Sequence, residues 1–168
     1  MRQFFFVILS LVFVHSIYSQ QGTIDLTKIS VNQIPFKTSQ DYLTKHLGSH
    51  KTSIVNDDNC RFFESDDDLK FLRYLYPHFT YTGKTTAGFY LEKVDFISSE
   101  VRMIYKGKSL SNQTSLKEFC EIFSLKEENT NDSSKNEILL LLSETRDDGA
   151  RFYFKNGTLS GFEYYFPC

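Results

Sequence analysis

The chain has no tryptophan, three cysteines, no surplus of basic side chains and, in 168 residues, one long apolar run. Each scarcity excludes something. Three cysteines cannot all pair within one molecule. With 19 basic against 21 acidic side chains there is no electrostatic footprint for nucleic acid or for an anionic membrane surface. The long apolar run, residues 4–14 interrupted by Ser10, is too short for a hydrocarbon core about 30 Å thick, which takes roughly 20 helical residues. A membrane span is therefore not expected. The sequence also lacks a G-x-S-x-G elbow and a reactive-cysteine context, so no activated nucleophile is predicted, and the chain reads as a non-enzyme that needs no cofactor.

What is present begins with export. Arg2 ahead of the apolar run and the small residue Ser19 behind it complete the pattern of a secretory leader, residues 1–19, which predicts a secreted or periplasmic protein of 149 residues, 20–168. That length suits one domain with a substantial core. Ten tyrosines and 17 phenylalanines favour pleated strands and an aromatic interior. In an exported chain a disulfide is plausible. Cys120 falls on a helical stripe with Leu116, Phe119 and Phe123, facing a core. Cys60 and Cys168 are then the expected bridge, closing about 109 residues and contributing about 4 kcal/mol on the chain-entropy model.

Local signals outline the elements. Residues 20–36 read as a strand or extended arm carrying little chemistry. Ser39 ahead of Tyr42, Leu43 and Leu47, with Gly48 behind them, predicts a short capped helix. Ser115 and Glu118 have the spacing of a capping box and predict a second. Residues 60–76 admit a helix charged at its start by Asp66, Asp67 and Asp68, but Phe71, Tyr74 and Tyr76 favour strands joined by an acidic turn. A long hairpin is expected over 79–96, a strand over 101–105 and a polar loop over 126–135. Asp148-Gly149 and Asn156-Gly157 both read as tight turns of a closing meander. Thr38-Ser39, Leu43 and Leu47 match Thr114-Ser115, Phe119 and Phe123 at a constant offset of 76. The predicted class is therefore α+β, two helix-plus-antiparallel-sheet units (36–110 and 112–168) packed as one body.

The closing run Arg151-Phe152-Tyr153-Phe154-Lys155-Asn156-Gly157-Thr158-Leu159-Ser160-Gly161, preceded by a capped helix and a loop, resembles the last hairpin of beta-lactamase-inhibitor-protein-like tandem domains. The ending Tyr164-Tyr165-Phe166-Pro167-Cys168 is similar to that of small exported bacterial proteins. The first resemblance implies a curved sheet that grips another protein. The chain departs from it in having no cysteine pair within each unit.

Other candidate chemistry is weaker. The three aspartates lack the glycine and distal carboxylate of a calcium loop. His46 and His50 have helical ligand spacing, but Gly48 separates them and no third zinc ligand is suggested. His78 has no nucleophile to serve. If Phe152, Phe154, Phe162, Tyr164 and Phe166 face the core, alternation sends Arg151, Tyr153, Lys155, Glu163 and Tyr165 outward together. Tyrosine and arginine are the side chains that most often anchor a protein partner. The expected function is recognition of a protein through this open sheet face; the alternative is a small-molecule carrier or hydrolase with an aromatic-lined cleft between sheet and helix.

Overall fold

The computed structural model describes residues 22–55, 71–125, 137–143 and 146–165. The expected leader, the acidic turn, the polar loop, and both ends of the Cys60–Cys168 bridge lie outside these residues.

Both helices form where the capping signals place them, and both are short. In α1 (Gln40–Leu47) Ser39 Oγ accepts the Tyr42 N–H at 3.2 Å, and the helix stops at Gly48 with φ of 72°. In α2 (Leu116–Phe123) Ser115 Oγ accepts the Glu118 N–H at 3.2 Å, and Ser124 ends the helix in the left-handed region. Each helix makes about two turns.

Strands make up most of the rest. They are β1 (Gly22–Thr23), β2 (Ile29–Val31), β3 (Ile34–Pro35), β4 (Lys37–Thr38), β5 (Lys51–Val55), β6 (Phe71–Leu75), β7 (Phe79–Lys84) and β8 (Gly88–Asp95). After β9 (Met103–Tyr105) and β10 (Lys108–Leu110) come β11 (Glu137–Ser143), β12 (Arg146–Lys155) and β13 (Thr158–Tyr165). One nine-stranded sheet runs β1-β11-β12-β13-β8-β7-β6-β5, with β4 also paired to β8; a four-stranded sheet runs β10-β9-β2-β3. All pairings are antiparallel except β1 with β11.

This corrects the expected α+β class with two helix-plus-sheet units. The chain is mostly β. Strand β13 pairs directly with β8 (Gly161↔Asp95, Phe162↔Val94, Glu163↔Lys93), so β5–β8, which follow α1, and β11–β13, which follow α2, belong to one sheet. The small sheet is built from hairpins that precede each helix, and two-turn helices contribute little against the thirteen strands of the described residues.

One face of the large sheet holds the core. Phe119 of α2 packs edge-on to Phe152 at 4.8 Å and to Phe154 at 5.1 Å, Phe123 lies 5.4 Å from Phe152, and Phe152 meets Phe162 at 5.3 Å. Cys120 is buried beside them, on the stripe that its spacing predicts. The small sheet joins through Tyr105, stacked on Phe123 at 4.7 Å. Beyond β13, Tyr74 stacks on Phe89 at 4.4 Å, in a core shared with the fully buried Leu43 of α1.

The two dipeptides read as turns have different uses. Asn156 and Gly157, with φ of 53° and 77°, form the two-residue connection between Lys155 and Thr158, as a primed hairpin turn requires. Asp148 and Gly149 instead lie inside β12. A Cβ on Gly149 would come within 2.0 Å of Leu140 O, so this glycine permits a close backbone approach rather than a turn.

Candidate binding face

Alternation along β12 and β13 sorts side chains to two sides. Phe152, Phe154 and Phe162 point to the helix side, which turns Arg151, Tyr153, Glu163 and Tyr165 to the other. These four are brought together. Arg151 and Glu163 are directly opposed across the strand pair, and the Tyr153 hydroxyl donates to Glu163 Oε2 at 2.5 Å. The Arg151 guanidinium lies over the Tyr165 ring, 4.5 Å from its centroid, and its Nε is 2.7 Å from Glu137 Oε1 on β11. Lys155 follows on the same strand but stands exposed at the hairpin end, opposite Thr158.

The network is partly desolvated. Burial and the bond to Glu163 raise the Tyr153 phenol above its ordinary value, against the opposing charge of Arg151. Burial pulls the Arg151 guanidinium down, yet Tyr153, Glu137 and Glu163 together leave it raised. The arginine is thus held as a cation and the tyrosine as a neutral phenol. α2 packs on the opposite side through Phe119, with the small sheet joined to it through Tyr105, and the four side chains are half-buried.

Glu137 was missed in the sequence, as was the continuation of the polar face onto β8, β7 and β6. Lys93, opposite Glu163, is 3.2 Å from Asp95. Further on, Arg73 makes a two-pronged contact with Glu92, at 2.8 and 2.6 Å, and the Thr82 hydroxyl donates to the same carboxylate. The periodicity of β12 carried no signal for these residues, because Glu137 lies 14 positions from Arg151 and Lys93 lies 70 positions from Glu163.

Two of the described histidines rest on aromatic rings: His46 stacks on Tyr42 at 3.9 Å, and His50 lies tilted against Tyr74 at 3.9 Å. His78 sits between β6 and β7; its backbone O accepts the Asp95 N–H, and its buried Nδ1 has no hydrogen-bond partner among the described residues. Among the described residues no group of three His, Cys, Asp or Glu is placed to hold a metal ion, and no helix is long and apolar enough to cross a membrane.

An aromatic-lined cleft does exist, although not between sheet and helix and not beside His78. It opens where residues 23–27 and 35–37 pass the ends of β11 and β13, so the segment read as carrying little chemistry forms one of its walls. Comparison of the chain with protein-family models, with curated proteins and with solved structures finds no match.

Proposed function

We propose that this chain is an exported, non-enzymatic binding domain that recognises a protein partner through the face carrying Arg151, Tyr153, Glu163 and Tyr165. One observation carries the reading: an arginine and two tyrosines are held in place by their neighbours on the side of the sheet opposite α2. Side chains fixed before binding lose less rotamer entropy on association, and large aromatic and guanidinium groups contribute the most contact energy per residue. The leader pattern supports export, and the acidic balance of the chain gives no reason to expect nucleic acid.

The test is capture from an envelope extract by the immobilised mature chain, beside the Tyr153→Ala/Tyr165→Ala double variant. The reading expects a protein retained by the wild type and lost by the variant, with the variant still folded at the temperature of capture. Equal capture by both would overturn it.

A further inference from the structure

The cleft has a volume of about 690 Å³, inside the range of about 300–1,000 Å³ usual for small-molecule sites. Its wall is aromatic. Phe36 stands edge-on to Tyr90, with centroids 6.0 Å apart, and to Tyr164, at 5.4 Å, and Tyr105 of the small sheet borders the same space. Leu26 and Leu142 add aliphatic surface. These residues come from both sheets and the segments joining them, so the cleft lies at the seam between the two sheets.

Its charges have one sign in excess. Lys37, opposite Tyr90 on β4, holds its ammonium 4.9 Å from that ring, and Lys106 holds its own 5.2 Å from Tyr105. The carboxylate is Asp25, which is already engaged: its Oδ1 accepts the Thr27 hydroxyl at 2.6 Å and the Thr27 N–H at 3.0 Å. Both ammonium groups rest on ring faces, contacts that a carboxylate or sulfonate could replace with a stronger charge-assisted hydrogen bond. In a chain of formal charge −2, the cleft sets two lysines against one acid, whose charge Lys106 partly faces, and so carries a net positive charge.

We infer that this cleft is a binding site for a small organic anion with an aromatic ring system, the ring lying among Phe36, Tyr90 and Tyr164 and the acid group taken by Lys37 and Lys106. The site is separate from the outward face of β12 and β13 and stands whether or not that face binds a protein.

The probe is 1-anilinonaphthalene-8-sulfonate, titrated against the mature chain and displaced by 2-naphthoate or by its neutral analogue 2-naphthalenemethanol. The inference expects one saturable site, with the acid displacing the dye better than the alcohol. Lys37→Gln/Lys106→Gln should weaken the acid at least tenfold and leave the alcohol within twofold, while Tyr90→Ala should weaken both. The lysine variant removes only groups at the rim, so it reports on charge even if Tyr90→Ala perturbs folding. Absence of saturable binding, or an equal loss for acid and alcohol in the lysine variant, would overturn the inference.

Discussion

The Tyr153 hydroxyl reaches Glu163 Oε2 at 2.5 Å across the β12–β13 pair, and this contact ties the candidate face to the pH response of the fold. Burial first, and Glu163 second, hold the phenol protonated, so its folded pKa lies above the unfolded value of about 10. A group shifted upward contributes stability that is fully present below the unfolded pKa and is lost as pH rises through the folded one. Tyr153→Phe should therefore flatten the fall of unfolding free energy above pH 10, measured by urea denaturation at a series of pH values. Tyr74, Tyr76 and Tyr81, raised by the same burial, will leave part of the fall in place. An unchanged slope in the variant would show that the contact does not form in solution.

Gly149 tests the pairing of β11 with β12. Because a Cβ there meets Leu140 O at 2.0 Å, Gly149→Ala should cost about 3 kcal/mol or more, read from the urea midpoint, since backbone must move to admit it. If Asp148-Gly149 were the turn that the dipeptide suggests, the same change would cost only the roughly 1 to 2 kcal/mol of a positive φ.

At the turn that does form, Gly157→Ala should lose about 1 to 2 kcal/mol through its positive φ alone, since nothing lies within 4 Å of the added methyl. Gly157→Asn should lose less, because asparagine tolerates that region better. Equal losses would point to packing rather than backbone conformation.

The two N-caps are independent sites. Ser39→Ala and Ser115→Ala should each cost about 1 kcal/mol and add when combined, because they cap different helices and share no partner. Thermal or urea unfolding of the two single variants and the double variant checks this. A loss in the double variant well below the sum would mean that one helix is not formed when the other frays.

What the sequence disclosed divides along range. Ser39, Ser115, Gly48 and Asn156-Gly157 act on residues within four positions, so their roles were legible. The inward and outward sides of β12 followed from alternation once it was read as a strand. The union of β8 with β13 was not legible, because Phe162↔Val94 joins positions 68 apart and no local pattern encodes it. The same is true of the ion pair between Glu137 and Arg151 and of the cleft, whose walls are drawn from Asp25, Phe36, Tyr90, Tyr105 and Tyr164. Gly149 shows the converse limit: an Asp-Gly step signals small size and backbone freedom, and only the neighbouring strand decides which of them is used.

The most direct measurement is calorimetric titration of the captured partner, once purified, against three chains: wild type, Tyr153→Ala/Tyr165→Ala and Lys37→Gln/Lys106→Gln. Recognition through the outward face of β12 and β13 predicts at least a hundredfold loss of affinity for the tyrosine variant and wild-type affinity for the lysine variant. Wild-type affinity in the tyrosine variant, with the loss appearing in the lysine variant, would contradict the account and move the partner to the cleft.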